Sequence, residues 1–253
     1  MVSVDEDDPE TVTMFQETAF TRELLVSVKK REESRGAKYD RALTEAPADV
    51  YLPAVDCAPF TSEGFDVAIL EKAKLFPDGI GCVYTPMVNA SFPGLQAPTA
   101  KLVEKLGWIY NHEYPFWFID HELDDICRMI GRFVFANVKF EPAPYRPGTT
   151  IRLRDLEFWT AYYDLMFIER RAKAREIIMS KDFQSPQWLK EVLANSYQVV
   201  ESRSRHINAG VRQNAKAIEA QRGDKGPPDE GYLIAKGKAE AKLSELLRTL
   251  KAA

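Results

Sequence analysis

The sequence predicts an α/β fold, in which a mostly parallel sheet is flanked by helices and followed by a long-helix C-terminal extension. Three observations lead there. Short apolar runs alternate with amphipathic stretches across residues 1–150. The first run, Met1-Val2-Ser3-Val4, passes directly into four consecutive acids, Asp5-Glu6-Asp7-Asp8, and acids at the carboxyl end of a strand are where an open α/β sheet usually meets its ligand. Past the segment carrying Pro142, Pro144, Pro147 and Gly148, the composition shifts to Ala, Arg, Lys and Glu with helical periodicity.

In chain order, residues 1–4 are a β-branched strand, and Pro9-Glu10-Thr11 opens a helix whose acids complement its dipole. Residues 24–28 form a second strand, 36–46 a helix, 50–55 a strand ending at Asp56, and 64–75 a helix. Residues 80–84 form a further strand and 99–106 a short amphipathic helix, while Pro93, Pro98 and Pro115 mark a loop-rich middle. A helix over 120–130 places Leu123, Ile126, Cys127 and Ile130 on one side. Two long helices follow over 155–180 and 185–221, the second with Ser185 as cap and Pro186 as first helical residue. Gly223 to Gly231, with Pro227-Pro228, breaks the pattern before a terminal amphipathic helix over 235–252. The strand-to-helix alternation favours parallel pairing with crossover connections.

The 253 residues suit a domain of ordinary size, 1–150, plus a helical appendage, 151–253. Hydrophobic content of 45% with 28% charged residues excludes a disordered chain and implies a real core. A net charge of -4 supplies no field for nucleic acid, although basic residues gather between Glu169 and Arg222. Cys57, Cys82 and Cys127 form no C-x-x-C pair, so reduced thiols are expected rather than a disulfide framework or zinc ribbon. No signal-peptide pattern is present and no apolar run approaches the roughly 18 residues of a membrane span. The expected location is cytoplasmic.

Four constellations could carry chemistry. The carboxylates of Asp5 to Asp8 could accept hydrogen bonds from a ribose or base edge, or form a solvated acidic turn. Asp56, ending Val50-Tyr51-Leu52-Pro53-Ala54-Val55, could hold magnesium or manganese against a diphosphate; a turn aspartate is the plainer reading. In Trp117-Phe118-Ile119-Asp120-His121-Glu122-Leu123-Asp124-Asp125 a carboxylate could act as general base and His121 could bind a metal or phosphate, though acids also suit any first helical turn. Arg152 and Arg154 could close over a diphosphate or pair with nearby acids. His112 and His206 lack such context, and Phe158, Trp159, Tyr162, Tyr163, Leu165 and Met166 read as packing surface.

Taken in order, these pieces resemble the GT-A glycosyltransferases, a Rossmann-like fold, and within them the family-2-like group that uses nucleotide-diphosphate sugars. Val2 to Thr11 looks like the family's acid-ended strand and following helix. Lys29-Lys30-Arg31 and Gly36 to Leu43, followed by Ala48 to Asp56, resemble its basic, glycine-containing segment, helix and strand ending in a DxD-type motif. Phe60 to Asp66 is similar to the turn and helix start that come next, and Phe118 to Ile126 to the acidic acceptor-side motif whose carboxylate is the base of inverting members. The likeness covers about residues 1–135.

It implies a hexosyltransferase-like enzyme transferring a sugar from a nucleotide-diphosphate donor to an unknown acceptor. Asp5, Asp7, Lys38 and Arg154 would bind the nucleotide sugar, Asp56 a Mg2+ or Mn2+ ion, and Asp120 would be the base. Val55-Asp56-Cys57 offers one carboxylate where the family commonly has two or three, and the family's first strand and helix have no counterpart in the sequence. The alternative is therefore a degenerate or truncated transferase domain acting as a non-catalytic binding or assembly protein, a homo-oligomer through its C-terminal helices.

Overall fold

The computed structural model describes residues 1–18, 24–54, 60–86, 93–140 and 152–252. It is α/β, with two small sheets among these residues and a helical C-terminal half. Strand β1 (Val2–Asp5) pairs in parallel with β2 (Val26–Lys29), Val2 opposite Val26 and Asp5 opposite Lys29. Helix α1 (Pro9–Glu17) lies between them in the chain; Asp8 caps it by accepting the Thr11 amide at 3.2 Å, and Pro9, lacking an N–H, opens it at no hydrogen-bond cost.

The second sheet has the order β4-β3-β5, with β3 at Cys82–Pro86, β4 at Pro93–Pro98 and β5 at Phe133–Phe135. The β3–β5 pairing is parallel, as the alternation predicts, but β4 is antiparallel and occupies sequence that reads as loop. Its prolines stand at the strand ends, where a missing N–H removes no central ladder bond. Residues 50–54, expected as a strand, make only the isolated bridge Val50 to Thr99, with Tyr51 N donating to Pro98 O at 3.0 Å. Pro53 lacks the N–H that would extend this pairing. Residue 55 lies outside the described residues.

The predicted helix over 36–46 is two turns of helix, α2 (Arg35–Tyr39) and α3 (Arg41–Glu45), divided at Asp40, whose Oδ1 accepts the Ile109 amide at 2.8 Å. Ser34 caps α2 by accepting the Ala37 amide. Helix α4 is Phe65–Ala73; α5, Ala100–Leu106, is capped by Thr99 and ended by Gly107 at φ 87. Helix α6 is Ile119–Met129.

The two long C-terminal helices expected from periodicity are each interrupted. Met166 separates α7 (Leu156–Leu165) from α8 (Phe167–Met179), and Ser196 separates α9 (Gln187–Asn195) from α10 (Tyr197–Arg222). Neither break carries the glycine or proline that would mark it in sequence. Pro186 occupies the capping position of α9 rather than its first turn, and Ser185 makes no cap. Helix α11 runs Glu230–Ala252, starting before residue 235 because the Asp229 carboxylate receives the Tyr232 amide at 2.7 Å.

The β3 strand divides two apolar clusters by its alternation. Cys82 faces the larger one, which takes in Ile80, Leu102, Leu123, Ile126 and Cys127 and continues through Trp159, Tyr162, Tyr163 and Ile177 to Tyr232 and Ala239. Val83 faces the smaller, with Ile69, Phe76, Ala136 and Val138. The helices after residue 155 are thus packed on the same core as β3 and α6. The free thiols of Cys82 and Cys127 are buried. No helix among the described residues is long and apolar enough to cross a membrane.

Gly36 sits where α2 meets the backbone of residues 110–111: a Cβ there would lie 2.4 Å from Tyr110 O and 2.7 Å from Asn111 O. Gly36→Ala should therefore destabilise the fold by about 2 kcal/mol, since backbone cannot step aside as a side chain can. The check is the urea midpoint, expected lower at an unchanged m-value; an unchanged midpoint would refute this close approach.

Candidate active site

The acids after β1 are held by the basic segment that follows β2. Asp5 is buried and ion-paired, Oδ2 to Arg31 Nη1 at 3.1 Å and Oδ1 to Lys38 Nζ at 2.9 Å and Arg41 Nη2 at 3.7 Å. Arg41, itself buried, also donates to Val4 O, Ser27 O and Lys30 O, so one guanidinium ties together the carboxyl ends of both strands. Asp7 is exposed and accepts two bonds from Arg31, at 3.0 and 3.1 Å, which hold its carboxyl below the usual range. Of the residues predicted to meet a nucleotide sugar, Asp5, Asp7 and Lys38 are brought together.

Helix α6 carries the second group. Phe118, buried and left-handed at φ 74, turns the chain into it; its ring stacks on Tyr163 at 4.6 Å and meets His121 edge-on at 5.4 Å. Of the acids in this motif, Glu122, Asp124 and Asp125 are buried structural groups. Both oxygens of Glu122 lie 2.9 Å from Asn111 Nδ2. Asp124 accepts from Arg128 at 2.9 Å and Arg203 at 2.6 Å, and Asp125 accepts from the Tyr163 hydroxyl at 2.6 Å beside Arg170.

Asp120 differs: its side chain is 47% exposed. Its Oδ1 lies 2.9 Å from both the His121 amide N and ring Nδ1, and its carbonyl accepts Gln96 Nε2 at 2.9 Å. Partial burial opposes its ionisation, but His121, through charge and hydrogen bonds, outweighs this and holds the carboxyl below its ordinary range. An oriented, ionised, solvent-reaching carboxylate at a helix start can accept a proton or bind a cation.

Helix α2 links the two groups. Lys38 faces Asp5, while Arg35 donates from its amide to Pro115 O at 3.3 Å and lays its guanidinium over Tyr39 at 5.7 Å and Phe116 at 5.4 Å, one turn of chain before Asp120. Sequence reasoning did not single out Arg35, although a basic residue beside the glycine of that segment was a usable signal.

The arginines expected to close over a diphosphate are engaged elsewhere. Arg154 donates to Asp224 at 2.6 Å and Gly226 O at 2.8 Å, and Arg152 holds Asp229 together with Glu32 O and Glu33 O. Both fasten the approach to α11. Asp56 lies outside the described residues. Phe158, Trp159, Tyr162, Tyr163 and Met166 do serve as packing surface, whereas Leu165 is exposed; His112 pairs with Asp40 at 2.7 Å and His206 is on the surface.

Among the described residues, no three or more His, Cys, Asp and Glu side chains are grouped to hold a metal. A cavity of about 370 Å³ lies on another part of the surface, lined by Asp78, Lys101, Glu104, Lys105, Lys181 and Asp182, and neither Asp5 nor Asp120 borders it. Comparison with family models, curated proteins and solved structures finds no match.

Glu122 provides a test of the buried motif. Burial is the dominant effect and raises its carboxyl from 4.5 to about 7, against the pull of Arg170 and Asn111. The folded state therefore binds this proton more tightly than the unfolded chain. The resulting stabilisation is complete below pH 4.5 and is lost as pH rises through about 7. Relative to Glu122→Gln, the wild type should lose about 3 kcal/mol between those limits. Urea denaturation of both proteins at pH 4 and pH 8 measures this, and a pH-independent difference would contradict it.

Proposed function

We propose that the chain is a GT-A-like, family-2-like glycosyltransferase that moves a sugar from a nucleotide-diphosphate donor to an acceptor hydroxyl, with Asp120 as general base. One observation carries this reading. Of the acids over residues 120–125, Asp120 alone presents a half-exposed carboxylate, while Glu122, Asp124 and Asp125 are locked into the core. The reading is supported by α2, on which Lys38 pairs with Asp5 and Arg35 feels the charge of Asp120.

In this reading an Asp120 oxygen takes the proton of the acceptor hydroxyl as that oxygen attacks the anomeric carbon. The bond from that carbon to the diphosphate oxygen breaks, and the nucleoside diphosphate leaves with the electron pair. His121 keeps the carboxylate ionised at neutral pH and fixes its direction; the imidazole proton shared with Oδ1 leaves Oδ2 for the acceptor. Asp5 and Asp7, held by Arg31, would accept from the nucleoside, and Lys38, paired with Asp5, would meet the phosphates. Arg154 would join them only by leaving Asp224. A Mg2+ or Mn2+ ion, when bound, would offset charge on the leaving diphosphate; the resemblance assigns it to Asp56.

A second reading has its own support. Asp5 is already surrounded by three cations of the chain and Arg154 by Asp224 and Gly226, so the expected ligand contacts are taken within the protein. That arrangement suits a non-catalytic binding or assembly protein. The C-terminal helices, of which α9 exposes Trp188 and Val192 and α10 exposes Val199, would then be its contact surface in a homo-oligomer.

Turnover separates the two. With a nucleotide-diphosphate sugar and Mg2+ or Mn2+, wild type should release nucleoside diphosphate, and Asp120→Asn should lower kcat by roughly 100- to 10,000-fold without weakening donor binding and with the thermal midpoint near that of wild type. Donor binding with no release by the folded wild type would favour the assembly protein.

A further inference from the structure

Arg35 has a geometry that the transferase reading leaves unused. Its guanidinium is half-buried, laid over the rings of Tyr39 and Phe116, and its Nε donates to the Tyr39 hydroxyl at 3.2 Å. Arg31, Arg41, Arg128, Arg132, Arg152, Arg154, Arg170, Arg203, Arg205 and Arg212 all have carboxylate partners. Among the described residues Arg35 has no carboxylate within ion-pair distance, only the longer-range charge of Asp120, and neither of its two Nη atoms has a hydrogen-bond partner. A planar fork held in place by two rings, with both outer nitrogens free, is pre-organised for a bidentate oxyanion.

Other unsatisfied groups surround the same turn. Gln96, only 1% exposed, spends its amide nitrogen on the Asp120 carbonyl and leaves Oε1 without a partner among the described residues. The indole Nε1 of Trp117, between Phe116 and Phe118, is buried and likewise unpartnered among the described residues. Buried polar atoms are rarely left so; of these two, the indole N–H can donate to an oxyanion, whereas the Gln96 oxygen can only accept, from a hydroxyl or amine of a ligand.

We propose that Arg35 is the oxyanion-binding residue of the Asp120 site, holding a phosphate or carboxylate group of the substrate while Asp120 faces its hydroxyl. This rests on the reading of Asp120 as the reacting carboxylate, and it adds that one substrate is anionic at a fixed place relative to that carboxylate. The oxyanion has two possible sources, the diphosphate of the donor or an acidic group on the acceptor, and the chemistry at Arg35 is common to both.

The test is calorimetric titration of the full chain with inorganic pyrophosphate and, separately, with glucuronate, using wild type, Arg35→Met, Arg35→Lys and Asp120→Asn. Arg35→Met keeps an apolar stem for the rings and should weaken binding of at least one probe roughly 10- to 100-fold. Arg35→Lys, which keeps the charge but not the fork, should fall between it and wild type. Asp120→Asn should tighten the same probe severalfold by removing a neighbouring negative charge, a response that a purely structural Arg35 would not give. Loss confined to pyrophosphate assigns the group to the donor, and loss confined to glucuronate to an acidic acceptor; either supports the proposal. Equal affinities for wild type and a folded Arg35→Met, or no binding of either probe by wild type, would overturn it. Because binding is read without turnover, an inactive protein that still shows these differences would sink the transferase reading and leave the oxyanion site standing.

Discussion

The interaction on which the rest of the structure depends is the seating of Arg170. Its guanidinium is buried in α8, lies 3.7 Å over the Tyr163 ring, donates to the Tyr163 carbonyl at 2.8 Å, and is ion-paired to Asp125 of α6 at 3.2 Å. A charge so enclosed is tolerable only with its partners in place, and removing one partner of such a pair typically costs about 3–5 kcal/mol. Arg170 therefore requires α6, α7 and α8 to meet in one arrangement. Arg203 on α10 adds a second tie, to the fully buried Asp124. Helix α6 cannot shift or rotate without stranding a charge, and its first turn presents Asp120.

This gives the C-terminal helices a physical role. Residues after 155 fill the larger apolar cluster and supply the cations for the acids of α6. At the other end, Arg41 and the close contact at Gly36 fix α2 against the ends of β1 and β2 and against residues 110–111. The two halves of the candidate site are thus positioned by different parts of the chain and meet along α2, with Lys38 turned to Asp5 and Arg35 toward the turn before Asp120.

Local signals carried much of this. The β-branched run ahead of Asp5, the cap at Thr99 and the apolar spacing of Leu123, Ile126, Cys127 and Ile130 are readable because each depends on neighbours a few residues away. The antiparallel β4 was hidden because its prolines mimic a loop, and the breaks at Met166 and Ser196 because tertiary packing makes them. The fates of the acids were least legible. Asp120, Glu122, Asp124 and Asp125 look alike in a sequence, and what separates them is Arg170 and Arg203, 45 and 79 residues away from the carboxylates they meet. Arg152 and Arg154 show the converse: guanidinium chemistry suits phosphate, but their carboxylate partners lie some seventy residues further on.

The proposed function requires Asp120 to be the reacting carboxylate beside a nucleotide-sugar pocket. The most direct measurement is a crystal structure with a non-hydrolysable nucleotide-diphosphate sugar bound. The expected result places the nucleoside against Asp5 and Asp7 and the anomeric carbon facing Asp120. Density for the donor away from α2, as in the cavity between Lys101 and Lys181, would contradict it.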